Sequence, residues 1–220
     1  MVRGAIVESQ NIFARIVLRY LDRKFNSGLG DSCWILHGLV RALKPATVVE
    51  IGSARGKSAC YMALALRENG RGMLHAIDPH TSTDWNDTKA VDSYTWMTRT
   101  IRTLGLERWI TVVRKTSNAA ASGWSTPIDL LFIDGDHSYD GVKRDFDLFS
   151  PHLSERGVCL FHDTAWNVRE DLAGLARTDM GVPKFVDELR ASGFPVITLP
   201  ENYGVSIVQR RKGGLPLIVR

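Results

Sequence analysis

The stretch Val48-Val49-Glu50-Ile51-Gly52-Ser53-Ala54-Arg55-Gly56-Lys57-Ser58-Ala59 constrains this chain more than any other. It reads as a buried strand, a glycine turn and a helix. Thr47 to Ile51 is rich in β-branched residues, as a central parallel strand requires. Gly52 and Gly56 bracket a loop whose backbone can approach a ligand with no Cβ in the way. From Lys57 the pattern turns helical, with Ala59, Tyr61, Met62, Ala63, Leu64, Ala65 and Leu66 available to pack on a sheet. A ligand above such a loop meets backbone N–H groups at the helix start. The dinucleotide fingerprint G-x-G-x-x-G is absent, because position 54 is Ala and the two glycines stand four apart. The P-loop order is absent as well. Taken alone, the turn fits a simple tight connection as well as a binding loop.

The 220 residues suffice for one large domain, or one domain with a small appendage. Hydrophobic residues at 44% and charged residues at 24% are ordinary for a globular protein, so a disordered chain is not expected. No apolar run approaches the ~20 residues of a membrane span. Met1 to Phe25 carries charges throughout and lacks a signal-peptide core. Cys33, Cys60 and Cys159 are odd in number, form no C-x-x-C and lie in apolar settings. They read as buried free thiols in a reducing cytoplasm. The net charge of +4 is dispersed apart from Arg210-Arg211-Lys212. That run reads as a solvated tail, and no nucleic-acid or membrane partner is expected.

In chain order, residues 5–22 place Ile6, Ile12, Phe13, Ile16, Val17, Tyr20 and Leu21 at helical spacing, for a helix packed on the domain, a lid or a dimer contact. Ser32 to Leu43 reads as a second helix, with Asp31 or Ser32 as its N-cap. Met73 to Ile77 is a strand that ends in Asp78-Pro79-His80. An acid at the end of the second strand of a doubly wound sheet accepts bonds from ribose hydroxyls, so Asp78 is read as a ribose ligand, the plainer alternative being that it caps the next turn. A helix follows over about Thr88 to Leu104, where Trp85, Tyr94 and Trp96 either wall a pocket or pack in the core. Trp109 to Val113 is a strand. Ser117, at its carboxyl end, bonds an adenine edge, caps the helix near Ala119, or does both. Ile128 to Ile133 is a strand, Asp140 to Leu153 a helix, Gly157 to Phe161 a strand and Val182 to Leu189 a helix. Pro195 to Leu199 and Tyr203 to Gln209 close the chain as two strands with only a short link. The fold class is therefore α/β: a doubly wound, mostly parallel seven-stranded sheet with an antiparallel C-terminal hairpin strand and N-terminal helices.

Asp134, Asp136 and His137 end one strand, and His162 and Asp163 end another. Both ends fall on the carboxyl edge of the sheet and converge if the strands are neighbours. Carboxylates gathered there are costly unless paired or bound to a cation. A divalent ion such as Mg²⁺ or Mn²⁺ suits them, and it lowers the pKa of a coordinated hydroxyl. A nearby His then takes the proton at neutral pH. The plainer alternative is that Asp134 and Asp136 cap the loop and next helix while His137 bonds the backbone.

The assembled pattern resembles the class I S-adenosylmethionine-dependent methyltransferases, and more narrowly the metal-dependent small-molecule and sugar O-methyltransferases. The resemblance runs from Ser32 to Gln209. It is carried by Glu50 to Ser58, by Asp129-Leu130-Leu131-Phe132-Ile133-Asp134-Gly135-Asp136-His137-Ser138-Tyr139, and by Phe161-His162-Asp163-Thr164. It implies a Rossmann-like methyltransferase fold over residues 31–210, with a helical extension at 1–30 and a tail at 211–220. It implies S-adenosyl-L-methionine contacts at Glu50, Gly52, Ser53, Gly56, Ser58, Asp78, Ser117 and Asp134. Metal ligands are implied at Asp134 and Asp163, and a general base at His137. Relatives place an oxygen-bearing residue where this chain has His162. Imidazole is a poor ligand for Mg²⁺ and a good one for Mn²⁺, Fe²⁺ or Zn²⁺. His162 therefore either joins Asp134 and Asp163 as a ligand or points to the opposite face of the strand.

The expected activity is methyl transfer to a hydroxyl of a small molecule, whether sugar, phenol or another alcohol. Specificity is expected in Trp85 to Trp96, the N-terminal helix and Trp166 to Gly181, and a homo-oligomer through the N-terminal helix is compatible with the pattern. A nicotinamide-dependent oxidoreductase on a similar sheet, or a non-catalytic cofactor-binding module, is the competing reading. The missing third glycine and the acidic cluster argue against the first. The intact acidic strand ends with His137 argue against the second.

Overall fold

A computed structural model describes residues 12–20, 22, 25, 27–81, 92–166 and 180–209. A helix over residues 12–20 (α1) precedes α2 (Cys33–Leu43), β1 (Thr47–Ile51) and α3 (Lys57–Asn69). Then come β2 (Met73–Ile77), α4 (Ser93–Thr103), β3 (Ile110–Val113), α5 (Ser117–Ala121) and β4 (Ile128–Ile133). The remainder is α6 (Tyr139–Phe149), β5 (Leu153–His162), α7 (Val182–Ala191), β6 (Val196–Leu199) and β7 (Val205–Gln209).

The seven strands form one sheet in the order β3-β2-β1-β4-β5-β7-β6. β1 to β5 are mutually parallel, and β7 runs antiparallel between β5 and β6. Strand order reverses between β1 and β4, and open α/β sheets bind ligands outside the carboxyl ends of the strands at such a switch point. Alternating side chains build two cores. Val48, Leu74, Leu130, Phe132 and Leu160 pack under α1, α2 and α3. Val49, Ile51, Leu131, Ile133 and Phe161 pack under α6 and α7. Phe146, Phe161 and Phe185 meet edge-on or tilted, with ring centroids 5.5 to 5.9 Å apart. On α1, Ala14 and Leu18 are buried in the first core, while Ile12, Phe13, Ile16 and Tyr20 are all exposed.

Several boundaries differ from the sequence reading for identifiable reasons. Helix α6 stops at Phe149, not Leu153, because Pro151 forces a 3₁₀ turn at Ser150–His152. β5 accordingly starts at Leu153, four residues before Gly157, and its pairing with β4 shifts register between Ile128 and Leu130. Neither Asp31 nor Ser32 caps α2 through its side chain, since both lie in a helical 3₁₀ turn that runs straight into it. Thr116, not Ser117, caps α5 by accepting from Ala119 N. The described part of α4 starts at Ser93, with Asp92 as its cap. Ile6, Leu21, Trp85, the expected start at Thr88, most of Trp166 to Gly181 and the run Arg210-Arg211-Lys212 lie outside the described residues. Among the described residues, no helix is long and apolar enough to cross a membrane. Cys33, Cys60 and Cys159 are free and buried.

Candidate active site

The glycine loop is held from two sides. Asp78, just past β2, accepts through one oxygen from Ser53 N (2.9 Å) and Ala54 N (2.8 Å). Its other oxygen accepts from His80 N at 2.6 Å. The acid expected to hold a ribose therefore also fastens the loop and turns the chain after β2. Gly52 has φ +85°, and a Cβ there would lie 2.2 Å from the Asp134 carbonyl oxygen. The glycine is required by the end of β4 as much as by any ligand, and this contact joins the loop to the acidic cluster. Gly56, at φ +83°, starts α3 without a side-chain cap.

Glu50 and Ser58 lie beneath the loop, both buried. Ser58 Oγ donates to Glu50 Oε1 in a short bond. Burial pushes the Glu50 carboxyl up to about 8, against the pull of that bond. Ser53 pulls the Glu50 carboxyl in the same direction as Ser58, while His80 Nε2 and Thr164 Oγ1, at other strand ends, are buried with no hydrogen-bond partner.

Asp134, His162 and Asp163 converge, with one candidate ligand atom from each lying within 4.8 Å of the others. His162 faces the cluster, with Nδ1 at 3.0 Å from Asp134 Oδ1 and 3.4 Å from Asp163 Oδ1. Its Nε2 lies 3.0 Å from the Asn202 carbonyl oxygen, in the β6–β7 turn. Burial disfavours the imidazolium, but Asp163 and Asp134 outweigh it and raise His162 to about 9. Asp163 sits at φ +60°, an uncommon conformation for a non-glycine residue. His137 Nδ1 is 3.1 Å from Asp163 Oδ2, so the two oxygens of Asp163 serve two histidines.

Asp136 does not join the cluster. It turns back to accept from Ser138 N (3.0 Å) and Ser138 Oγ (2.7 Å), and it pairs with Arg144 at 3.3 Å. The capping alternative thus holds for Asp136, while Asp134 and His137 face the site. Ser117, the first residue of α5, bonds Asp145 on α6. Asp145 is buried, its carboxyl is pushed up by that burial, and its Oδ1 has no hydrogen-bond partner. Sequence reasoning missed it. The signal was there, since Asp145 shares the buried face of α6 with Val142 and Phe149 and is the charged member of that face.

A family model described as "Methyltransferase domain" matches residues 49–164, just over half of the chain. An uncharacterised protein, y4gI of Sinorhizobium fredii, is 30% identical over 184 residues. That match takes in 80% of this chain but 19% of the relative, so the chain spans about a fifth of that protein's length. The O-methyltransferase TomG from Streptomyces achromogenes, solved with SAM, superposes with a TM-score of 0.63 at 16% identity, over 91% of this chain and 88% of that one. An O-methyltransferase from Bacillus cereus, solved with SAH, gives 0.63 at 15% identity, over 91% and 90%. At such identities the structures establish the fold, which is the Rossmann-like sheet of class I methyltransferases. With the family match across β1 to the end of β5, the chain belongs to the methyltransferase-domain family.

Proposed function

We propose that this protein transfers a methyl group from S-adenosylmethionine to a hydroxyl of a small molecule, with a divalent ion assisting. The observation that carries the reading is the contact of Gly52 with the end of β4, which sets a cofactor loop directly beside the Asp134–His137–His162–Asp163 cluster. The buried polar side chains of Glu50 and Ser53 fit an amino-acid moiety, which offers both donors and acceptors. The loop from Gly52 to Gly56 and the start of α3 favour its carboxylate. Asp78 takes the ribose, and Ser117 with Asp145 forms the adenine side. The donor set of two carboxylates and one imidazole fits a dication.

The bound cofactor supplies an activated methyl group on a sulfonium. A bound ion supplies Lewis acidity at the acceptor oxygen. Asp134, Asp163 and His162 would hold that ion. Asp163 also orients His137 through Nδ1, which sets the imidazole up to take the acceptor's proton. A carboxylate paired to one imidazole nitrogen sets the tautomer and stabilises the cation formed when the base is protonated. Most of the acceleration then comes from orientation and electrostatics.

The test pairs cofactor labelling with turnover. Methyl-tritiated S-adenosylmethionine, cross-linked by ultraviolet light, should label the folded protein and be competed by S-adenosylhomocysteine but not by a nicotinamide dinucleotide. His137→Ala should keep full labelling while methyl transfer to hydroxylated acceptors falls on the order of 10²-fold or more. Equal loss of labelling and turnover would remove His137 as the base. No labelling of folded wild-type protein would reject the reading.

A further inference from the structure

An apolar pocket lies on the α6 and α7 side of the sheet. It measures about 210 Å³ and is walled mostly by Phe146, Leu153, Cys159, Phe194 and Val208. Phe146 and Phe194 meet edge-on, with ring centroids 6.4 Å apart. β7 pairs Val205 with His162 and Gln209 with Val158, so the chain leaves the sheet at the end remote from the acidic cluster. Gln209, the last of the described residues, itself lines the pocket. Compared with the ~150 Å³ apolar cavity that takes one benzene, such a space accommodates about two aliphatic side chains. Apolar walls of this kind gain from cover by apolar groups in place of water.

The sequence beyond Gln209 suits that space. Residues 210–220 lie outside the described residues, and they read Arg210-Arg211-Lys212, then Gly213-Gly214, then Leu215-Pro216-Leu217-Ile218-Val219 before Arg220. The run from 215 to 219 is apolar throughout, whereas the basic run ahead of it belongs in water. Gly213 and Gly214 supply the backbone freedom for a reversal. Pro216 favours an extended backbone and lacks an N–H, so burying it leaves one donor fewer to satisfy. Residues 210–214 span at most ~18 Å, enough to leave the mouth of the pocket and return to it. A group tethered so closely is held at millimolar effective concentration, well above that of a second copy or a free ligand.

We propose that residues 215–219 of this chain fold back into the pocket and pack against Phe146, Phe194 and Val208, with Arg210, Arg211 and Lys212 left in solvent. Helix α6 begins at Tyr139, next to the loop bearing His137, and its last turn carries Phe146. The docked segment therefore braces the far end of the helix into which that loop runs. The inference is independent of the methyltransferase reading and stands or falls on its own test.

The experiment uses the full chain with isotope-labelled Ile, Leu and Val methyl groups and reads their nuclear Overhauser contacts. Methyl groups of Leu217 and Ile218 should show contacts to the rings of Phe146 or Phe194 and be shifted by their ring currents. A chain ending at Lys212 should melt about 3 °C or more below the full chain. It should also bind indole, an apolar probe, about tenfold more tightly, because the tethered competitor is gone. Leu217→Asp should reproduce both changes, since a carboxylate is not buried among apolar walls. Should the shortened chain fail to fold, the methyl contacts decide alone. Absence of any contact between residues 215–219 and the pocket would overturn the inference. Equal indole binding by full and shortened chains would overturn it as well, and would make the pocket a site for a free ligand. Contacts seen only between differently labelled chains in a mixed sample would place the segment in a second copy, which also contradicts the proposal.

Discussion

Glu50 shows how one residue can carry both a stability cost and a binding role. Its carboxyl rises from the ordinary 4.5 to about 8, chiefly through burial. Between those values the folded protein holds a proton that the unfolded chain has released. The stability contributed by the neutral carboxyl is therefore complete below pH 4.5 and lost as pH rises through 8. Denaturant unfolding of the cofactor-free protein should show falling stability from pH 5 to 8, and Glu50→Gln should flatten that slope. An unchanged slope in the variant would place its source elsewhere. Gly52 is the second decisive residue. Ala at this position forces a left-handed backbone onto an L residue and a Cβ onto the Asp134 carbonyl. Gly52→Ala should cost about 3 kcal/mol or more in urea unfolding, and a loss within ~0.5 kcal/mol would show that the end of β4 yields. The sequence marked Gly52 as special, but for its approach to a ligand. That β4 presses on it depends on strand order, which no local pattern encodes.

At the scale of elements, the site depends on helices that touch no reacting atom. Gly181, ahead of α7, donates its N–H to the His137 carbonyl at 2.8 Å. A Cβ on Gly181 would stand 2.1 Å from Tyr139 N. The start of α7 thus buttresses the loop bearing His137. Gly181→Ala should shift residues 137–139 and lower kcat by about tenfold or more. S-adenosylhomocysteine affinity should stay within about twofold, because the glycine loop lies on other elements. Loss of kcat and cofactor affinity in parallel would indicate a general folding defect. Elements were legible where periodicity was strong: β1, β2 and β4 fall where the sequence places them, and α3 begins at the expected Lys57. They were less legible where two local signals competed. Thr116 and Ser117 are both good caps, and only the backbone conformation decides between them. The extension of β5 back to Leu153 comes from pairing with Ile128, a tertiary effect that alternation does not reveal.

For the molecule as a whole, the decisive feature is the reversal of strand order between β1 and β4. It brings Gly52, from one half of the chain, against Asp134, from the other, and the β4–β5 register, which ends at Ile133 and Phe161, carries Asp134 alongside His162. The candidate site was legible as a list because strand-end acids and a glycine loop leave local signatures. Its internal pairings were not. The sharing of Asp163 between His137 and His162, the retreat of Asp136 to Ser138 and Arg144, and the burial of Asp145 beside Ser117 all require three-dimensional neighbours. The central claim is that this architecture binds S-adenosylmethionine across the β1–β4 crevice. Calorimetric titration of S-adenosylhomocysteine into the folded protein tests it most directly, with Asp78→Ala and a nicotinamide dinucleotide as controls. The account predicts one site of micromolar affinity, lost in Asp78→Ala, and no heat from the dinucleotide. No heat from S-adenosylhomocysteine, or dinucleotide binding in its place, would contradict it.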